Sequence, residues 1–289
     1  MGEAGFNLFD LQAERVLLGR YRIDETMAHG PLSARFRVTD QETDAKLALE
    51  LFTAGLFEGP GQANFFAERL RAFGAVHCKV VVPTHAVEVT EGGDVLRFCS
   101  VPGAHSLRQR LREETRLPRE EVVTMVAALL EGLAEIHGES LAHGDLKPSN
   151  LFVDGAGVVT TEGGVTPGLW RAQHMGARTS LIGTPYYSPL EQFGGEAPDA
   201  DADLYAVGTL AYEALSGVLP WEGKGYIEVF QAKMQDNPPP IESRASGVRV
   251  GDDLEKVIRK AMRARRGDRY RGAREFLEDW NAASHTSDS

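Results

Sequence analysis

Asp145, Lys147 and Asn150 lie two and three residues apart in the stretch HGDLKPSNLF, residues 143–152. Pro148 keeps this stretch from running on as a helix, so the three side chains can converge on one point. An aspartate can accept a hydroxyl proton, a lysine can neutralise a phosphoryl group in transfer, and an asparagine oxygen can hold Mg²⁺. Together they suit phosphoryl transfer to a hydroxyl.

These side chains need a scaffold, and the chain carries two successive periodicities. From Tyr21 apolar residues alternate as in strands: YRIDETMAHG, ARFRVTD and, after a turn at QETDA, KLALELF. The last run puts Leu47, Leu49 and Leu51 on one face and Lys46, Ala48 and Glu50 on the other. ANFFAERLRAFGAV sets Phe66, Leu70 and Phe73 at helical spacing, and VVVPTHAVEVTEGGDVLRFCSV returns to strands with a turn at Gly92 and Gly93. Beyond PGAHS the pattern becomes helical: Val122, Val126, Leu129, Leu130, Leu133 and Ile136 form one stripe, and DLYAVGTLAYEAL and LEKVIRKAMRA form others. The reading is an α+β protein with a small β-rich lobe at 21–101 and a larger helical lobe at 102–282. A short helix or extended arm precedes them at 1–20, and a flexible tail follows at 283–289.

Composition narrows the function. The chain has 289 residues, 42% of them hydrophobic and 25% charged, enough to bury a substantial core. A net charge of −11 repels nucleic-acid phosphates and anionic lipid alike. Cys78 and Cys99 are far apart and lack metal-ligand spacing, which argues against a disulfide framework or a zinc site. The first residues are acidic where a signal peptide is basic, and no apolar run reaches the ~18 residues of a membrane span. The expectation is a soluble cytoplasmic protein with no nucleic-acid partner and no membrane insertion.

HGDLKPSNLF resembles the catalytic loop of the eukaryotic-type Ser/Thr protein kinases in its bacterial form, and further pieces follow in that family's order. GTPYYSPLEQ (183–192) looks like the end of an activation segment and DLYAVG (203–208) like the buried helix after it. SGVLPW (216–221) is similar to the next loop, and GDRY (267–270) to the segment bearing a late structural arginine. The similarity spans roughly residues 21–282 and is strongest in the second lobe. Aminoglycoside-type phosphotransferases also carry an HGD loop, but Lys147 and the GTPYY segment argue against that class. The resemblance implies a bilobal kinase-like fold, catalytic roles for Asp145, Lys147 and Asn150, and a metal on Asn150 and Glu162. It lines a nucleotide cleft with Gly30, Arg35, Ala48, Glu50, Cys99 and Val101. It also gives structural roles to Glu68, Thr184, Glu191, Asp203 and Arg269: Glu191 should pair with Arg269, and Asp203 should hold the catalytic-loop backbone.

Where the resemblance places the nucleotide, the sequence departs from the family. Only Gly30 remains of a glycine-rich loop in AHGPLSAR, and Ala28 and Ser33 carry Cβ atoms that obstruct approach to phosphates. The third-strand lysine falls on LALE and becomes Glu50; Lys46, four residues earlier on the same face, is the other candidate counterpart. Reversing that charge changes a contact of about 4 kcal/mol per unit-charge pair at ~4 Å and an effective dielectric near ~20. Glu68, deprived of its lysine, should turn outward. The family's D-F-G triplet lands on Glu162, Gly163 and Gly164, where Glu162 can still reach a metal but Gly163 cannot fill a phenylalanine's place. Gly144 replaces an arginine that in many kinases receives activation-loop phosphate, so Thr179 and Ser180 read as plain loop residues. Strand parity turns Arg35 inward, which predicts a salt bridge from Arg35 to Glu50 filling the nucleotide site. The leading expectation is therefore a pseudokinase: a regulatory or protein-binding module that works with another protein and holds no cofactor, or only weakly bound ATP with Mg²⁺ or Mn²⁺. The alternative is an active Ser/Thr kinase with its cation relocated to Arg35 or Lys46.

Overall fold

The computed structural model describes Phe6 and residues 11–30, 32–103, 105–154, 157–173, 185–234 and 237–285. Thr179, Ser180 and Thr184 lie outside these residues. The described chain divides into two units. The first takes the residues up to His77, Val82–Pro102 and those from Gly168 onward in helix α4 (Val165–Gln173); the second takes Cys78–Val81, Gly103–Pro167 and the remainder.

The first unit is built on one antiparallel sheet because its strands alternate apolar and polar residues. Its strands are β1 (Val16–Leu17), β2 (Tyr21–His29), β3 (Ala34–Asp40), β4 (Lys46–Phe52), β5 (Thr84–Val89) and β6 (Val95–Ser100), in the order β1-β2-β3-β4-β6-β5. Ile23, Phe36, Val38, Leu49, Leu51, Leu96 and Phe98 form its core from one face. Phe6 and Leu11 join that core, and the Phe6 N–H donates to the buried carboxylate of Asp94 at 2.8 Å. The described residues before Tyr21 thus form an arm on the sheet, and supply a strand to it. Helix α1 (Pro60–Gly74) begins at a proline suited to a first turn and packs through Phe66, Ala67, Leu70 and Phe73. Phe66 meets Phe52 edge-on, their centroids 4.9 Å apart.

The second unit is helical. It comprises α2 (Leu107–Glu114), α3 (Arg119–Gly138), α5 (Leu190–Phe193), α6 (Ala200–Ser216), α7 (Tyr226–Lys233), α8 (Ile241–Arg244), α9 (Asp252–Ala261) and α10 (Ala273–Ser284), with a hairpin of β7 (Leu151–Asp154) and β8 (Gly157–Thr160). Helix α6 is buried almost throughout from Ala202 to Ser216, and α3 and α9 pack on it. Helix α10 closes the layer against α3, its Trp280 indole N–H donating to the Val123 carbonyl at 3.1 Å. It runs through Ser284 with Ala283 buried, beyond the boundary that composition sets at 282. Helix α4 follows the two glycines at 163 and 164 and is not among the elements read from the periodicity of the sequence. Its signal was present: Val165, Leu169 and Ala172 recur at helical spacing and are buried, and Pro167 falls in the first turn, where a missing N–H costs nothing. Among the described residues no helix is long and apolar enough to cross a membrane.

Candidate active site

The turn 143–150 is fixed from beneath by one carboxylate. Asp203, 1% exposed in the first turn of α6, accepts the His143 N–H through Oδ2 and the Gly144 N–H through Oδ1, both at 2.8 Å. Its Oδ2 also lies 3.0 Å from Nε2 of His137 in the last turn of α3. A helix N-terminus favours the negative charge, and three polar partners repay its desolvation. Sequence reasoning did not single out His137. Gly144 has φ +77°, and a Cβ there would stand 2.4 Å from the Pro167 ring. Both the backbone conformation and the space therefore exclude an arginine at this position.

Above this anchor Asp145, Lys147, Asn150 and Glu162 meet. The Lys147 ammonium donates to Asp145 Oδ2 at 2.6 Å. The amide nitrogen of Asn150 donates to the Asp145 carbonyl at 3.0 Å and to its Oδ2 at 2.9 Å, and lies 3.4 Å from Glu162 Oε2. The amide nitrogen thus faces the two carboxylates, and the Asn150 Oδ1 accepts from the Ser149 hydroxyl at 3.5 Å. The β7–β8 hairpin returns the chain so that the Thr161 N–H donates to the Asn150 carbonyl at 2.9 Å. Glu162 then adopts φ 61°, a left-handed conformation costing about 1 kcal/mol for a side-chain-bearing residue. Burial raises the Asp145 carboxyl, Lys147 lowers it, and the Glu162 charge raises it further; the outcome is about 6.

The Asp145 and Glu162 carboxylates are hard-oxygen donors that fit Mg²⁺ or Mn²⁺, and the Asn150 amide, whose nitrogen faces both of them, would add its oxygen to the set on turning over. Among the described residues no cluster of three or more His, Cys, Asp or Glu is arranged for a metal, so the remaining ligands of such an ion would come from substrate.

The residues assigned to the nucleotide are in the first unit, and here the structure corrects the sequence. The register sets Arg35 opposite Glu50 and Glu50 opposite Arg97, in one row across β3, β4 and β6. The counter-ion of Glu50 is Arg97, not Arg35: Nε of Arg97 donates to Glu50 Oε2 at 2.7 Å, and its Nη2 makes a still closer contact. Glu50 is 4% exposed and Arg97 2%, so each charge is desolvated and held by the other. Ala48 and Cys99 are the next opposed pair, both buried; Val101 is half-buried, and Gly30 is exposed, its N–H donating to the Ser33 carbonyl at 2.8 Å. Lys46, the alternative cation, binds Thr39 Oγ1 at 2.6 Å and Asp24 at 3.2 Å on a solvent-facing part of the strand. Glu68 is exposed on α1. Arg97 was the residue that sequence reasoning missed. The available signal was strand parity, since Arg97 lies two residues before Cys99, already assigned to the same face.

Glu191 and Arg269 form a two-pronged pair, Nη1 to Oε1 at 2.6 Å and Nη2 to Oε2 at 3.0 Å. The guanidinium also donates to the carbonyls of Arg263 and Ala264, which ties the loop before α10 to α5.

Comparison with known proteins gives the arrangement a context. A sequence model described as the protein kinase domain matches residues 21–280. The Ser/Thr-protein kinase pkn3 of Myxococcus xanthus is 25% identical over 277 residues, covering 91% of this chain and 50% of that protein. The Ser/Thr-protein kinase PknB of Mycobacterium leprae is 25% identical over 268 residues, 91% of this chain and 43% of that protein. The chain thus spans about half the length of the curated relatives it matches. The crystal structure of a mutant of the Mycobacterium tuberculosis PknI kinase domain superposes with a TM-score of 0.71 at 17% identity, covering 94% of this chain and 98% of that one, which shows a shared fold.

Proposed function

The chain belongs to the protein kinase domain family, and from that premise we propose that it is a Ser/Thr protein kinase domain with an atypical nucleotide site. It moves the γ-phosphoryl group of ATP onto a protein hydroxyl. The observation that carries this reading is the assembled quartet of Asp145, Lys147, Asn150 and Glu162 on its Asp203 anchor. Asp145 takes the acceptor's proton as the oxygen–phosphorus bond forms and the bond to the β-phosphate oxygen breaks, releasing ADP. Lys147, bonded to Asp145, keeps that carboxylate oriented and places positive charge beside the transfer. Asn150 and Glu162 would hold Mg²⁺ or Mn²⁺, which when bound would neutralise phosphate charge. Glu50 offers the phosphates no cation, because its charge is negative and already matched by Arg97. Without a cation at position 50, the affinity for nucleotide is low. The working site of the domain is cytoplasmic, and its partner is a protein substrate.

The Glu50–Arg97 pair favours a second reading, the pseudokinase: a regulatory module that binds a protein without transferring phosphate. Nucleotide titration separates the two. Melting with ATP and Mg²⁺ or Mn²⁺ should show a metal-dependent rise, approaching ~2.7 kcal/mol of added stability one hundredfold above Kd. Asn150→Ala should abolish the rise. No shift at millimolar nucleotide with either metal favours the second reading.

A further inference from the structure

Lys233, the last residue of α7, is 1% exposed, and its ammonium donates to two main-chain oxygens, Tyr186 O at 2.8 Å and Ser188 O at 2.6 Å. The Tyr205 and Phe193 rings flank it at 4.7 and 5.8 Å. Among the described residues no carboxylate takes its charge by a hydrogen bond, since that of Glu191, the acid closest to its influence, is committed to Arg269. Burial and the nearby Arg269 charge hold the amine well below the usual lysine range, and even a neutral amine keeps two hydrogens for two carbonyls.

The segment so held bears on Asp145. Tyr187 and Ser188 line a shallow depression together with Asp145, Lys147, Thr166 and Gln192. The same segment is tied by the Tyr186 hydroxyl to Gly223 O at 2.7 Å and by the Tyr187 hydroxyl to Glu213 Oε2 at 2.5 Å. These two bonds fix its side chains, whereas Lys233 alone among the three grips its main chain at both ends of Tyr187.

We propose that Lys233 is a positioning residue for phosphoryl transfer: by holding the Tyr186 and Ser188 carbonyls it fixes the wall that an acceptor protein's hydroxyl-bearing segment lies against, next to Asp145. The proposal rests on the kinase reading above. A buried ammonium pays a desolvation cost that an apolar chain of similar length avoids, and this cost offsets the two carbonyl hydrogen bonds it makes, so Lys233 does little for global stability. Its contribution is to where residues 186–188 sit.

The test compares wild type with Lys233→Met, using myelin basic protein as acceptor. The expected result is a melting temperature equal to or above wild type, hydrogen exchange accelerated in peptides covering 185–192 and unchanged in α3 and α6, and an acceptor KM raised about tenfold with the KM for ATP unchanged. Lys233→Gln, which keeps an N–H donor, should fall between the two. A lower melting temperature with exchange accelerated throughout the second unit would make Lys233 a plain structural residue and overturn the proposal. So would unchanged exchange at 185–192, or a rise in both KM values together. Absence of transfer by the wild type marks failure of the kinase reading and removes any role in transfer; the exchange pattern still shows separately whether Lys233 fixes the segment.

Discussion

In the proposed transfer Asp145 acts as base and must be deprotonated when the acceptor arrives, and its carboxyl is raised to about 6. Phosphate transfer should therefore rise with pH through about 6 and level off above it, a profile read from initial rates between pH 5 and 8. The same shift has a stability consequence of opposite benefit. The folded carboxyl binds its proton more tightly than an ordinary aspartate, near 3.8, so its contribution to stability is present at low pH and lost as pH rises from about 4 through about 6. Asp145→Asn should thus abolish transfer yet stabilise the fold by on the order of 1–3 kcal/mol above pH 6, with no gain below pH 4. Equal melting temperatures at pH 7.5 would contradict the assignment. At Glu50 the two buried charges stand or fall together. Arg97→Leu leaves a carboxylate unpaired and should cost ~3–5 kcal/mol in urea unfolding. Glu50→Lys alone sets an ammonium against Arg97 and should destabilise without improving ATP binding. The double variant Glu50→Lys with Arg97→Leu removes that repulsion but leaves the ammonium unpaired, so it should remain less stable than wild type while binding ATP more tightly and being stabilised by it. Sequence reading placed Glu50 correctly on its strand face but gave it the wrong partner. A turn joins β3 to β4 and makes Arg35 the local candidate, whereas Arg97 is 47 residues away and its adjacency depends on strand order, which local pattern does not encode.

Elements carry the site only as firmly as they are tied to one another. Helix α6 was legible because its apolar residues run without a polar face, and its first turn delivers Asp203 beneath the catalytic turn. Arg269 is a second tie, with 1% of its side chain exposed, joining α5 to the loop before α10. Arg269→Ala leaves Glu191 half-buried beside the more exposed Arg266, and should cost ~3–5 kcal/mol with a clear fall in melting temperature. An unchanged melting temperature would remove the pair from the structural account. Gly144→Arg should fail to produce a phosphate-responsive site and should unfold the protein at lower denaturant, since φ +77° and the Pro167 ring both oppose it. The motifs in the second unit were readable because their residues are close in sequence or fixed to a buried helix. Helix α4 and Lys233 were not: one hides behind two glycines, and the other is a lysine whose partners are main-chain oxygens that no side-chain pattern announces.

At the scale of the whole molecule the two units differ in what they retain. The second holds an assembled acid–cation–amide quartet; the first holds a sheet with a buried ion pair between Glu50 and Arg97. The net charge of −11 attracts basic segments in general, an attraction that weakens with salt as screening grows. The proposed transfer of phosphate by the quartet around Asp145, with a glutamate at position 50, is tested most directly by transfer itself. Purified wild-type protein and Asp145→Asn, each the only kinase in its reaction, should be incubated with radiolabelled ATP, Mn²⁺ and myelin basic protein at pH 7.5. The account predicts slow, metal-dependent incorporation by the wild type, lowered by at least about a hundredfold in Asp145→Asn. Equal incorporation by both proteins, or none by either at saturating nucleotide, would contradict it.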